Sequence, residues 1–230
     1  MLKLSSCLIA NGAFELHANL YVEAGSSVAV IGPSGAGKST LLEAIAGFRE
    51  ISRGQLFWKE GELTKQVPGK RPIAMLFQDG NLFPHLTAAQ NVALGLRPNG
   101  RLSKPEHERV AAALSRVGLA VMGERKPAEL SGGQQSRVAL ARVLVQHRDL
   151  LLLDEPFAAL GPALKAEMLD LVAELVAETG TTLLMVSHDP QDARRITNQA
   201  ILVANGSAHP PAETDQLLNN PPPALREYLG

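Results

Sequence analysis

Cysteine is almost absent from this chain of 230 residues, and its scarcity excludes one class of scaffold. Cys7 is the single cysteine, so no disulfide can form within the chain. A small fold stabilised by disulfides is therefore excluded, and a reducing compartment such as the cytoplasm is expected.

An excess of charge of either sign is also lacking. The chain has 22 Lys and Arg residues against 23 Asp and Glu residues, for a formal net charge of -1. No overall basic field favours nucleic acid, and no acidic excess favours a cationic partner. A nucleic-acid-binding function is therefore not expected.

Long hydrophobic runs are the third absence. No uninterrupted apolar run approaches the ~18 to 20 residues that a helix needs to cross a bilayer. Any membrane role is therefore expected to come through a partner subunit. Hydrophobic residues nevertheless make up 45% of the chain, which is enough to form a globular core.

Three short, continuously apolar runs predict the centre of the fold. Residues 28–32, 149–155 and 181–188 have the composition of strands that are covered on both faces of a parallel sheet. Apolar residues recur at helical spacing between the last two runs, namely Leu164, Met168, Leu171, Val172 and Leu175. This strand, helix, strand order predicts an α/β core.

The segments around this core have different patterns. Residues 14–22 alternate apolar and polar side chains and residues 54–59 form another candidate strand, which together predict an antiparallel β layer near the N-terminus. Residues 88–119 have helical periodicity and predict a helical insertion. Residues 208–230 contain five prolines and predict one short helix with loose flanks.

A glycine-rich loop follows the first apolar run and precedes a helical pattern. Its sequence fits G-x-x-x-x-G-K-[ST] in the strand, loop, helix context that a phosphate-binding loop requires. Lys38 would contact the outer phosphates, and the Ser39 hydroxyl would bind Mg²⁺. The alternative is an ordinary glycine-rich turn. The predicted nucleotide-binding residues are Gly32, Pro33, Ser34, Gly35, Ala36, Gly37, Lys38, Ser39 and Thr40.

Two adjacent acids end the second apolar run. Neighbouring side chains on a strand point in opposite directions, so Asp154 and Glu155 are expected to have separate roles. We predict that Asp154 holds Mg²⁺ and that Glu155 orients or deprotonates an attacking water. The alternative is that both acids merely solvate a strand end.

The segment Leu130–Gln134 reads LSGGQ and precedes an apolar helix. Ser131 and Gln134 fit a capping box, which is a purely structural device. Gly132 and Gly133 in the first turn would also expose backbone N–H groups, which makes the same helix end a candidate anion site.

The motifs occur in an order that resembles the ATP-binding subunits of ABC transporters over essentially the whole chain. These motifs are GPSGAGKST at 32–40, LFQ at 76–78, LSGGQ at 130–134, LLLLDEP at 150–156 and SHD at 187–189. The resemblance implies a homodimer in which two ATP molecules lie between one subunit's phosphate loop and the other subunit's LSGGQ segment. Ser131 and Gly133 would then donate hydrogen bonds to the γ-phosphate held by the partner.

The same resemblance implies roles for two further residues. Gln78 would sense Mg²⁺ and the attacking water and link the site to the membrane subunit, although by itself it is only the polar exit from a strand. His188 would contact the γ-phosphate, although by itself it is a strand-end residue before a helix capped by Asp189. The catalytic set is thus Lys38, Gln78, Glu155 and His188.

The implied architecture is a P-loop NTPase core, with a mostly parallel sheet, and a helical subdomain that carries LSGGQ. The core would comprise residues of about 1–87 and 147–230, and the helical subdomain residues of about 88–146. Both parts would belong to one ATP-binding domain that requires ATP and Mg²⁺.

Among importers, four segments are most similar to those of bacterial thiamine importers, namely residues 1–4, 32–48, 71–96 and 181–189. The implied function is ATP-driven import on the cytoplasmic side of the inner membrane. The subunit would bind a membrane permease and act indirectly with a periplasmic solute-binding protein. Import of another small solute, an ABC ATPase outside transport and a P-loop metabolite kinase are the alternatives.

Two positions depart from the family pattern. Asn11 stands where an aromatic residue is expected to stack on adenine, and Phe14 is the nearest aromatic residue. Gly161 stands where the loop after the catalytic glutamate usually has an aspartate. We expect looser base selectivity and weaker coupling between closure and hydrolysis.

Overall fold

The computed structural model describes residues 1–78, 80–98 and 101–229, with the side chains of Asn11 and of residues 227–229 outside the described part. The strands are β1 Leu2–Asn11, β2 Phe14–Val22, β3 Ser27–Ile31, β4 Arg53–Trp58, β5 Gly61–Glu62, β6 Ile73–Leu76, β7 Leu150–Asp154, β8 Thr182–Val186, β9 Gln199–Ala204, β10 Ser207–Ala208 and β11 Ala212–Glu213. The helices are α1 Lys38–Ala46, α2 Ala88–Ala93, α3 Lys104–Arg116, α4 Gly132–Leu144, α5 Pro162–Thr179, α6 Pro190–Ile196, α7 Thr214–Asn219 and α8 Pro223–Leu229.

The core of the fold is a parallel array in the order β9, β3, β8, β7, β6. Every residue of β7 and β8 is buried, as expected for strands that are covered on both faces. The three predicted strands and the helix between the last two are confirmed. Because the strands are parallel, their carboxyl ends lie at one edge of the sheet, where β3 leads into the phosphate loop.

The antiparallel layer near the N-terminus is also confirmed. It has the order β5, β4, β1, β2, and β10 joins it to β9 of the parallel array. Strand β2 buries Leu16, Ala18 and Leu20 while its intervening residues are exposed. This alternation is why a period of two was visible in the sequence.

Helices α2 and α3 confirm the predicted helical insertion at 88–119, and α4 follows and packs against both of them. Thr87, Ser103 and Ser131 begin them with capping boxes. Their buried faces share one hydrophobic cluster with β6, β7 and α5, to which Val110, Leu114, Leu151 and Leu153 belong. The insertion is therefore packed on the side of the sheet opposite to α1.

The end of the chain corrects the prediction of one short helix. Two helices, α7 and α8, are present, and β11 pairs with β9. Leu218 and Leu225 are buried in a cluster with Ala200 and Leu202 of β9. The prolines lie between these elements or at the start of α8. Each helix is nevertheless packed on the sheet, because each buries a leucine.

No helix among the described residues is both long and apolar enough to span a membrane.

Candidate nucleotide site

The phosphate loop, Gly32–Thr40, leaves β3 and continues into α1. Gly32 has φ 146°, and a Cβ placed there would lie 2.0 Å from the carbonyl oxygen of Val203. Gly35 and Gly37 also have positive φ, of 74° and 102°. The loop therefore adopts a backbone conformation that residues with a side chain would adopt only with strain. Glycine at these positions also lets the backbone N–H groups approach phosphate groups closely.

Lys38 is buried at the start of α1. Its Nζ donates hydrogen bonds to the carbonyl oxygens of Gly32 and Pro33, both at 2.9 Å. Burial lowers the pKa of the Lys38 ammonium, and the nearby charges of Glu155 and Asp154 oppose that shift. The side chain thus brings a positive charge into the curve of the loop.

Asp154, the last residue of β7, contacts the phosphate loop. The Ser39 hydroxyl donates a hydrogen bond to its Oδ1 at 3.0 Å. Burial raises the pKa of the Asp154 carboxyl, and the charges of Glu155 and Glu43 add to the rise despite the opposing effects of Ser39 and Lys38. A hydroxyl and a desolvated carboxylate are oxygen ligands that fit Mg²⁺, which is commonly held by one or two protein groups and substrate phosphates.

Glu155 corrects one premise of the sequence prediction. Strand β7 ends at Asp154, and Glu155 has a left-handed backbone with φ 47°. The turn, and not strand alternation, directs the two carboxylates apart. Glu155 places its Oε1 2.5 Å from Nε2 of His188, whereas Asp154 faces Ser39. The two acids therefore have separate partners, as expected, for a different geometrical reason.

The switch segment, Ser187–Asp189, joins β8 to α6. Asp189 caps α6 by accepting a hydrogen bond from the backbone N–H of Gln191 at 2.9 Å, and Pro190 is the first helical residue. This capping arrangement was the structural alternative for the segment, and the structure confirms it. It coexists with the contact between His188 and Glu155, so the two interpretations are compatible.

A cleft of about 420 Å³ lies along the phosphate loop. Phe14 lines it, and a Cβ on Gly37 would lie 2.8 Å from the Phe14 ring, so this ring packs on the loop. The Asn11 side chain lies outside the described residues. The other lining residues are Ser34, Gly35, Gly37, Lys38, Ser39, Thr40, Glu155 and His188.

The LSGGQ segment does not line this cleft. The capping box is confirmed, with the Ser131 hydroxyl accepting from the Gln134 N–H at 3.3 Å and the Gln134 side chain accepting from the Ser131 N–H at 2.9 Å. Gly133 is buried, and a Cβ there would lie 2.2 Å from Cδ2 of Leu164 on α5. Gly132 is exposed and has open space around it.

Gln78 is likewise separate from the cleft. It is exposed and lines a cavity of about 570 Å³, together with Gly132, Gln135 and Ser136 of the LSGGQ helix. The fold therefore brings together Lys38, Ser39, Asp154, Glu155 and His188. It leaves Gln78 and the LSGGQ segment on a neighbouring surface.

Sequence reasoning missed two residues beside the site, Lys165 and Asp192. Lys165 Nζ lies 2.7 Å from Oδ2 of Asp192 and 3.0 Å from Oδ2 of Asp189. No motif marks a lysine near the start of α5 or an aspartate in the first turn of α6. Only the packing of the two helices reveals the cluster.

Fold and site together define a P-loop nucleotide-binding protein, because the loop, the buried lysine and the acid at the tip of β7, which contacts Ser39, have the required arrangement. The family model described as ABC transporter matches residues 16–158. The chain belongs to the ABC transporter family, as an ATP-binding, ATP-hydrolysing member.

Named relatives match the chain from end to end. The thiamine import ATP-binding protein ThiQ of Ruegeria sp. (strain TM1040) is 66% identical over 230 residues, which is 100% of both chains. The protein of the same name from Cereibacter sphaeroides is 58% identical, also over 100% of both chains.

Solved structures are similar as well. A dimeric, post-hydrolysis state of the ATP-binding cassette MJ0796 bound to ADP and Pi has a TM-score of 0.80 and 29% identity, with 93% of this chain and 99% of that chain covered. A second dimeric structure of the same cassette has a TM-score of 0.81.

Proposed function

We propose that this chain is the energy-coupling ATPase subunit of a bacterial thiamine importer. The observation that carries the proposal is the 66% identity, over the full length of both chains, to a thiamine import ATP-binding protein. Chemistry within this chain supports only the ATPase part, because no residue of the nucleotide cleft offers a reason to recognise thiamine.

The site residues have the following roles in this proposal. The phosphate loop and Lys38 bind the phosphates of ATP, while Ser39 and Asp154 hold Mg²⁺, which would polarise the outer phosphates when bound. Glu155 accepts the proton of the attacking water, and His188 orients Glu155 and contacts the γ-phosphate. Gln78, which lies outside the nucleotide cleft, would supply a further oxygen ligand to Mg²⁺.

The active form in this proposal is a homodimer with two ATP molecules between the subunits. The LSGGQ segment lies outside the cleft of its own chain, and Ser131 and Gly132 are exposed, so this helix end is accessible to a nucleotide held by a second copy. The capping box makes that helix end rigid, and its N-terminus favours an anion. The dimeric state of the similar cassettes supports this assembly.

A membrane permease is the second partner in the proposal. Phe48, which is 58% exposed, packs edge-on against Phe77, the residue before Gln78, at 5.4 Å between ring centroids. Phe83, which follows Gln78 in the chain, is 47% exposed and adds apolar surface. A permease bound there, on the cytoplasmic side of the inner membrane, would be linked to the nucleotide site through Gln78. The periplasmic solute-binding protein would act only through the permease. We also propose that the single ATP-binding domain comprises a core of residues of about 1–87 and 147–230 and a helical subdomain of residues of about 88–146.

The deciding experiment is thiamine uptake by the purified chain with its permease and the periplasmic solute-binding protein, reconstituted in vesicles with ATP and Mg²⁺. We expect uptake with the wild type, none with Lys38→Ala and normal uptake with Lys65→Ala, which removes an exposed lysine. ATP hydrolysis that drives another solute but not thiamine would refute the substrate. Absence of hydrolysis by the wild-type complex would refute the ATPase role itself.

A further inference from the structure

The switch segment is anchored by polar contacts at both of its ends. The Ser187 hydroxyl donates a hydrogen bond to Oδ2 of Asp192 at 2.5 Å. Asp189 accepts a hydrogen bond from Lys165 Nζ at 3.0 Å, and Asp192 forms an ion pair with the same ammonium at 2.7 Å. His188 therefore lies between two residues that are tied, directly or through Asp192, to Lys165.

Packing alone does not hold this segment. A cavity of about 370 Å³ adjoins it, lined in part by Phe157, Leu169 and Met185. Side chains do not pack closely against the face of the segment that borders this cavity, so polar contacts contribute more to its position. Lys165 and Asp192 are 21% and 10% exposed, so removal of the lysine would leave a largely buried carboxylate without its ion-pair partner beside the segment that holds His188.

Lys165 lies at the start of α5, beside the LSGGQ helix. It stands in the first turns of α5, four residues after Gly161, and the adjacent Leu164 contacts Gly133 of the LSGGQ helix. The start of α5 therefore contacts both the segment that holds His188 and the segment proposed to meet the partner's ATP. A shift of the start of α5 would therefore displace both the switch segment and the LSGGQ segment.

We propose that Lys165 is a positioning residue that sets His188 against Glu155 and transmits movement of the start of α5 to this pair. The inference rests on the proposed function, since it requires His188 and Glu155 to act in ATP hydrolysis. Lys165 does not line the nucleotide cleft, so it acts through His188 and not on ATP.

A second ion pair between the same helices provides a matched control. Arg195 of α6 donates two hydrogen bonds to Asp170 of α5, at 2.7 and 2.6 Å. This pair is exposed and does not contact the switch segment. Lys165→Met and Arg195→Met thus each remove one α5–α6 ion pair, and only the first removes contacts to Asp189 and Asp192.

The first test is steady-state ATP hydrolysis by the full-length protein. We expect Lys165→Met to lower kcat about tenfold with KM for ATP changed less than about twofold, because the contact it removes positions a reacting group. Lys165→Arg should recover most of kcat, and Arg195→Met should stay within about twofold of wild type. Equal losses for Lys165→Met and Arg195→Met, or a loss confined to KM, would overturn the proposal.

The second test is a double-mutant cycle with His188→Ala, using a radiolabelled ATP assay for the low residual rates. If Lys165 acts through His188, then Lys165→Met causes no further loss in the His188→Ala background. A multiplicative loss would show that Lys165 and His188 act independently, and would overturn the proposal.

Two safeguards keep the outcome interpretable. Asp192→Asn retains an acceptor for Ser187 but weakens the pair with Lys165, so it should lower kcat in the same direction if Lys165→Met does not fold. If the kcat of Asp192→Asn equals that of the wild type, this result would count against the proposal. Thiamine uptake by the wild-type and Arg195→Met complexes tests the proposed function independently, because both proteins keep the Lys165 contacts.

Discussion

The carboxylate of Glu155 lies 2.5 Å from Nε2 of His188, although the two residues follow different strands. Glu155 stands one residue after β7 and His188 two residues after β8, and these strands are parallel neighbours. The left-handed backbone of Glu155 turns its side chain toward the histidine. The register of β7 and β8 and the left-handed conformation of Glu155 thus bring Glu155 and His188 together. Both residues line the cleft along the phosphate loop.

Glu155→Gln should reduce ATP turnover by about 10² to 10⁴, because an amide cannot accept the proton of the attacking water. The variant should still bind ATP, so an ATP-bound dimer should accumulate. Sedimentation velocity at saturating ATP and Mg²⁺ measures this, with Glu174→Gln on the exposed face of α5 as the control. A monomeric Glu155→Gln protein under these conditions would contradict the proposed ATP sandwich.

Asp154→Asn should raise the melting temperature of the nucleotide-free protein at neutral pH and abolish Mg²⁺-dependent hydrolysis. Burial holds the pKa of Asp154 above its ordinary value, with a further contribution from Glu155. The stabilising contribution of such a group is complete below its unfolded pKa and is lost as pH rises through its folded pKa. The gain in melting temperature should therefore vanish below about pH 4.

Asp149→Asn is the control of opposite sign, immediately before the same strand. Lys59 holds the pKa of the Asp149 carboxyl below its ordinary value, so its contribution is present above the unfolded pKa and is lost as pH falls through the folded pKa. This variant should lower the melting temperature at neutral pH. Shifts of equal sign for the two variants would contradict the electrostatic account.

Gly32→Ala should destabilise the protein by at least ~3 kcal/mol, because its Cβ would lie 2.0 Å from a backbone oxygen of Val203. Gly35→Ala in the same loop strains a positive φ but has open space, so about 1 kcal/mol is expected. Urea denaturation compares the two. Equal destabilisation would mean that backbone conformation alone, and not the close approach of β9, requires glycine at 32.

Gly161→Asp should stabilise α5 by about a few tenths of a kcal/mol, because glycine is itself a tolerated N-cap residue. Gly161 is the N-cap of α5, no side chain caps that helix, and nothing lies within 4 Å of a Cβ placed there. Thermal denaturation measures the stability, and ATP turnover and transport measure coupling. We expect tighter coupling, since a carboxylate would then face the neighbouring phosphate loop across the dimer.

Gly161→Asn separates the two effects, because asparagine caps a helix nearly as well but carries no charge. It should match the stability gain of Gly161→Asp without the change in coupling. Unchanged turnover and transport in Gly161→Asp would show that the missing aspartate has no functional consequence.

Local patterns predicted the elements that carry most of the chemistry. The phosphate loop, the three central strands and the capping box at Ser131 were all visible in the sequence, because each depends on neighbouring residues. Strand β9 was not predicted, although Ala200–Val203 form a continuous apolar run. It is defined by its pairing with β3, about 170 residues earlier, which a local pattern does not reveal.

The sequence by itself determined the residue types, namely a glycine path around phosphate, a lysine and a serine after it, and two acids after a buried strand. Tertiary structure decided how these residues meet. Only the fold turns Glu155 toward His188, places Phe14 on Gly37 and clamps the switch segment with Lys165. The physical reason is that spacing along the chain encodes backbone conformation, whereas contacts between distant residues depend on sheet register and helix packing.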